Sequence, residues 1–372
     1  MWADNDLTVL AGAAPATSGM LDGYSQGDGS QHVNFIDENG QVHELYRSPD
    51  PAAQWVYNDL TAFAGGTQAV GSALAGYSQG DSSQHVNFID VSGHVHELYR
   101  SPDPAAQWVD DDLTAFANGT PAVINGPLDG YSQGDSSQHV NFIDENGHMH
   151  ELYRSPDPAA QWVDNDLTAF ANGTPAYTKG GFSISPIDAY SQSDSSQHVN
   201  FIDSNGHMHE LYRSPDPAAQ WVDNDLTTYA GGAQAEGGLD AYSQGDSSQH
   251  VNFIDGNGNM HELYRSPDPA AQWVDNDLTA LGGAARAYIT TLDGYSQKDA
   301  SQHVNFIDEN RHVHELYRSP DPAAQWVDND LTAFTGATQA EGSLDGYSQG
   351  DSSQHVNFID INGDVHELYL SG

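Results

Sequence analysis

Seven copies of one segment fill this chain, and repetition on that scale leaves few folds open. Tyr24, Tyr77, Tyr131, Tyr190, Tyr242, Tyr295 and Tyr347 each open the motif YSQ, at spacings of 53, 54, 59, 52, 53 and 52 residues. Each is followed by SQHVNFID, then a turn, then HELY. The spacing of 59 carries an extra stretch, YTKGGFSISPID, read as a loop insertion. Within one copy four strands are expected: DGYSQ, QHVNFID, HVHELYR and QWVDNDLT. The second and third flank DENG, DSNG or DGNG, a hairpin turn whose Gly supplies a positive φ. The third and fourth are joined by SPDPAAQ, whose prolines fit a connection and not a central strand. No helical periodicity is visible.

Seven four-stranded units of about fifty residues fit a β-propeller. An open solenoid is the competitor, but it needs capping units at both ends. Here the ends complement each other. The last copy stops at ELYLSG, and the first eight residues, MWADNDLT, are its missing tail. The expected class is therefore all-β: a seven-bladed propeller of four-stranded blades, one domain over 1–372, with residues 2–10 completing the last blade.

Charge and composition narrow the partners. The net charge of −43, from 53 acidic and 10 basic residues, argues against nucleic acid or an anionic membrane surface and fits a solvated exterior. With no cysteine there is no disulfide scaffold and no thiolate zinc site. No apolar run approaches the ~18 residues of a membrane span. The N-terminus shows no signal peptide, so a soluble chain is expected, either a mature form or one made in the cytoplasm and released by another route.

Comparison among the copies points to one end of the ring. The loop after the first strand is nearly fixed (GDSSQ and close variants), and SPDPAAQ is identical in all six copies that have it. The connection leaving the fourth strand and the ENG hairpin both drift. In an up-and-down blade the first and third connections share an end, which marks that end as the working one.

Strand alternation puts Val33, Phe35 and Leu45 on one face of a blade and His32, Asn34, Glu44 and Tyr46 on the other. Both faces of a blade are covered by neighbours, so a polar quartet is unexpected and its carboxylate must be paired. The series repeats as His85, His139, His198, His250, His303 and His355; Asn87, Asn141, Asn200, Asn252, Asn305 and Asn357; Glu97, Glu151, Glu210, Glu262, Glu315 and Glu367; and Tyr99, Tyr153, Tyr212, Tyr264, Tyr317 and Tyr369. Arg47, Arg100, Arg154, Arg213, Arg265 and Arg318 follow the tyrosine, taking six of the ten basic residues. Trp2, Trp55, Trp108, Trp162, Trp221, Trp273 and Trp326 supply one indole per blade. Sugar hydroxyls need planar, multidentate donors and acceptors, and an aromatic ring stacks on the apolar C–H face. The set is thus a candidate sugar site at the cleft between blades. Core tryptophans with interblade Glu–Arg or Glu–His ties are the structural alternative. Trp108→Ala is expected to weaken only sites using that blade and to leave the fold largely intact.

Through YSQGDSSQHVNFID, HELYRSPDPAAQW and VDNDLT, essentially the whole chain resembles the PLL-type seven-bladed β-propeller lectins of Photorhabdus. The resemblance implies a multivalent lectin that binds L-fucose and related sugars, O-methylated ones included, between blades. It also implies glycan or glycoconjugate partners on a host, homo-oligomers, no cofactor and no catalysis. One departure stands out: Leu370 replaces the Arg in the last copy and no SPDP follows, so a site at the seam should be weak and about six should remain.

Three rival functions compete with this one. An enzyme would build one site from residues unique to single blades, but Lys179, Arg286, Lys298 and Arg311 form no acid, base or nucleophile set. A metal role is suggested by His94 and His96, His148 and His150, His207 and His209, and His312 and His314. Gln41, Asn259 and Asp364 break that pattern, and the DNDL carboxylates read mostly as caps. A protein-docking propeller remains the alternative, although docking surfaces seldom repeat the same residues on every blade.

Overall fold

The computed structural model describes residues 1–372 except 18, 20, 72, 180–182 and 322, and the side chains of 179, 183, 184, 289 and 290. Seven antiparallel four-stranded sheets stand in a ring. In blade one the strands run outward as Leu21–Ser25, Gln31–Ile36, Val42–Arg47 and Val56–Asp59. Blade seven combines Ala340–Ser348, Gln354–Asp360 and Val365–Leu370 with Ala3–Asp6 from the other end of the chain. Ala3 faces Tyr369 and Asp6 faces His366, so the ring is closed along a strand. The innermost strands touch one another in an unbroken cycle. The fold is a seven-bladed β-propeller.

The hairpin register follows the expected alternation: Val33 opposes Leu45, and Asn34 opposes Glu44. Its turn puts Gly40 at φ 77°, as Gly does in five other copies, while Arg311 takes φ 66° in blade six. Between blades three and four, Thr178–Lys179 pairs with Ser183–Ile184. The middle of the expected insertion, residues 180–182, lies outside the described residues.

Helix is present after all, once per blade. The outer strand stops at the second Asp of DND, and Leu60–Ala64 and its six equivalents form five-residue helices. Asp59 caps the start by accepting from the Ala62 amide at 2.8 Å, and Gly65 ends it in the left-handed conformation. So short a helix has no period to detect, and its caps look like turn residues.

Apolar side chains join blades rather than filling single ones. Ile36, Val42 and Leu60 of blade one pack with Val86, Phe88, Leu98 and Trp108 of blade two. The nearly fixed loop after the first strand forms a belt. Gln26 donates to the Ser82 carbonyl of the next blade at 3.3 Å. Gln79, Gln133, Gln192, Gln244 and Gln297 do the same in turn, and Gln349 reaches Gly29 to complete the circle. That loop is therefore explained by ring closure.

Near the axis six blades place an Asp on the innermost strand: Asp22, Asp129, Asp188, Asp240, Asp293 and Asp345, with Ala75 in the remaining blade. Asp22 accepts from the Gly76 amide of the next blade at 2.9 Å. A Cβ on Gly76 would stand 2.6 Å from both Asp22 Oδ2 and Asn34 Nδ2, so those side-chain ends must shift to admit one, as they do around Ala189 and Ala241 at the equivalent position in blades four and five. Burial, then repulsion from Asp188, pushes the Asp293 carboxyl up to about 8, partly offset by the Gly346 amide. The folded chain thus holds a proton that the unfolded chain has released. Stability contributed by that proton is present below 3.8 and lost as pH rises towards about 8. Asp293→Asn, which keeps an acceptor for Gly346, should raise the thermal midpoint by several degrees at pH 9 and leave it near the parent value at pH 4. A variant destabilised equally at both pH values would contradict this.

Candidate binding clefts between blades

The strand that carries Glu and Tyr in one blade faces the strand that carries Arg in the next, and a cleft opens between them. Between blades three and four it measures about 500 Å³. Blade three contributes Glu151, Tyr153, Val163, Asn165 and Phe170; blade four contributes Gln197, Arg213, Ala219, Gln220 and Trp221. Clefts of about 470 and 400 Å³ repeat the arrangement around Glu210 with Arg265 and Trp273, and around Glu262 with Arg318 and Trp326. Ala219 and Gln220 belong to the invariant SPDPAAQ connection.

The carboxylate is the fixed point. Glu151 Oε1 lies 2.7 Å from His139 Nδ1, and Oε2 accepts from Asn165 Nδ2 at 3.1 Å. The same pair of bonds holds Glu44, Glu210, Glu262, Glu315 and Glu367. Burial opposes the charge on Glu210, yet His198, Asn224 and Arg265 of the next blade together hold its carboxyl below the ordinary value. Burial, then Asp135 and Glu151, raises the Tyr153 hydroxyl, with Arg213 pulling the other way. That hydroxyl is a neutral donor and acceptor at physiological pH. In the cleft between blades two and three, Asp111 replaces the Asn opposite Glu97; burial and that neighbouring carboxylate raise its carboxyl.

Not every residue expected at the site is there. Glu, Tyr, Arg and Trp converge in the three clefts between blades three and six. His32, His85, His139, His198, His250, His303 and His355 are fully buried behind the Glu. Each ring lies 2.9–3.0 Å from a Ser hydroxyl and stacks on the inner-strand tyrosine, as His139 does on Tyr131 at 4.7 Å. Asn34, Asn87, Asn141, Asn200, Asn252, Asn305 and Asn357 are also buried, one step nearer the axis and away from the clefts. Several cleft residues escaped the sequence reading: the Asn at the centre of DND, the Gln that opens QHVNFI, and the apolar Val163 and Phe170. The first could have been found, since it stands directly opposite Glu once register is assigned.

Ser137, His139 and Glu151 form a hydrogen-bonded chain of the kind used in acyl transfer. Ser137 is 1% exposed and its hydroxyl also donates to Gln133 Oε1 at 3.1 Å. No substrate can reach it, and the chain reads as a structural tie.

Trp221, Trp273 and Trp326 line clefts while being 7–8% exposed. Trp108 is 7% exposed and packs against Leu60, Phe88 and Leu98. The expectation that Trp108→Ala would spare the fold is therefore corrected. Truncating a core aromatic costs about 3–5 kcal/mol, so the urea midpoint should fall clearly; an unchanged midpoint would return Trp108 to a purely surface role.

Arg serves the blade before its own, so Leu370 leaves the cleft of blades six and seven without a cation. Tyr317 accordingly has no Arg offsetting its raised hydroxyl, unlike Tyr264 beside Arg318. The cleft of blades seven and one keeps its set: Asn5 donates to Glu367 at 2.8 Å, and Arg47 and Trp55 come from blade one.

No protein-family model matches the sequence, and no curated protein does. Solved structures do match. The lectin BP39L from Burkholderia pseudomallei is 13% identical with a TM-score of 0.66, covering 95% of this chain and 96% of that one. The Aleuria aurantia lectin, solved with Fucα1-6GlcNAc, is 14% identical with a TM-score of 0.51, covering 81% and 94%. BBS1N, solved in complex with ARL6DN, is 11% identical with a TM-score of 0.53, covering 100% and 97%. The likeness is one of fold. Among the described residues, no helix is long and apolar enough to cross a membrane.

Proposed function

We propose that the chain is a multivalent carbohydrate-binding lectin of the PLL type, taking L-fucose and related sugars, O-methylated ones included, in its interblade clefts. The observation that carries this is the repetition of one polar, aromatic-walled cavity between successive blades. Glu, Asn, Gln and Arg offer planar donors and acceptors to ring hydroxyls, while Trp221, Val163 and Phe170 offer an apolar wall to a deoxy or O-methyl group. The Burkholderia and Aleuria lectins, the latter solved with a fucosylated disaccharide, lend the reading support. Weak single sites become strong together on a surface that presents many copies of the sugar.

A protein-docking propeller is the second reading. Phe63, Phe116, Phe170, Tyr229 and Phe334 stand 55–61% exposed around the rim, and BBS1N was solved in complex with ARL6DN. Such a surface would not need a charged, hydrogen-bonded floor in each cleft.

Titration calorimetry with L-fucose, with and without EDTA, separates the two. The lectin reading expects about six sites per chain, indifferent to the chelator. Arg213→Leu should remove one of them while the chain stays folded, with only a small fall in the thermal midpoint. Silence with fucose and on a broad glycan array would transfer the case to protein docking.

A further inference from the structure

At the hairpin end of blade six, away from the clefts, five ligating side chains converge. His312 and His314 project from one face of the strand Val313–Arg318 and the residue just before it. Asp330 stands opposite His314 on the outer strand. His314 Nδ1 is 2.9 Å from Asp328 Oδ1, which fixes the ring proton there and leaves the Nε2 lone pair free. That Nε2 is buried without a hydrogen-bond partner, 3.6 Å from Asp308 Oδ2 and 4.0 Å from Asp330 Oδ2. His312 Nδ1 is 2.9 Å from Asp330 Oδ2. Donor atoms of His312, His314 and Asp330 all lie within 4.8 Å of one another.

We infer that His312, His314 and Asp330, with Asp308 within reach as a fourth ligand, bind a divalent transition metal of the zinc class. Two imidazoles and a carboxylate suit such an ion, which sits ~2.0–2.2 Å from its donors and tolerates four-coordination; calcium and magnesium prefer oxygen alone. Closing donors from their present spacing to that geometry needs a turn of His312, whose side chain is 32% exposed, and a small approach of Asp330 to His314, now 4.0 Å apart. Asp328 behind His314 is the outer partner that orients a metal-binding imidazole.

The plainer account is that Asp330 caps its helix and His312 steadies it. Capping uses Oδ1, which accepts from the Ala333 amide at 2.8 Å, and leaves Oδ2 towards the histidines. It also leaves the buried His314 Nε2 with a charge contact to Asp308 but no hydrogen bond. Blades two to four repeat the two histidines, but among the described residues only blade six draws three donors this close.

The inference does not rest on the sugar reading. The full chain, dialysed against EDTA and then freed of chelator, would be titrated calorimetrically with zinc chloride, alongside His312→Gln. Zinc uptake by the parent and loss of one equivalent in the variant, with unchanged metal-free melting, is the expected result. No uptake by the parent, or unaltered stoichiometry in His312→Gln, would overturn it. His314→Gln serves as a second variant and should lose the same equivalent.

Discussion

A ring of seven sheets is stable only if it closes, because every blade buries both faces against neighbours. Here closure is made three times over at different radii. Innermost strands abut, a belt of Gln side chains links each first loop to the next, and Ala3–Asp6 completes the last sheet by strand pairing. Apolar clusters straddle the blade boundaries, so no blade owns a complete core. The N-terminal strand must therefore find the C-terminal blade before the final interface can form, a contact of the longest sequence separation the chain allows.

Placing a carboxylate between blades is expensive unless it is fully hydrogen-bonded. The Glu series satisfies that demand with a His behind and an Asn in front, and the Arg of the following blade adds charge complementarity. One arrangement thus ties the ring and forms the cleft floor. It also explains why near-identical blades persist around the ring: the interface and the cleft are built from the same side chains.

Much of this was legible from the repeat. Copy number, strand order, the split seventh blade and the face carrying His32, Asn34, Glu44 and Tyr46 all follow from spacing and alternation. Depth did not. Alternation assigns a residue to a face but not to a distance from the axis, so buried His32 and Asn34 were grouped with Glu44 and Tyr46 at the cleft. Trp221 read as core or ligand wall because it is both. The Leu370 departure was visible, yet its consequence fell on blades six and seven only after Arg was seen to serve the preceding blade. The short helices hid because their caps, Asp59 and Gly65, look like turn residues.

The central claim is that each cleft is completed by two blades, with Glu and Asn from one and Arg and Trp from the next. A crystal of the chain soaked with methyl α-L-fucoside tests it most directly, since occupancy is read cleft by cleft. Sugar should fill six clefts, touching both blades in each, and be absent between blades six and seven, where Leu370 stands. Sugar bound elsewhere on the ring, or equal occupancy at all seven boundaries, would contradict the account.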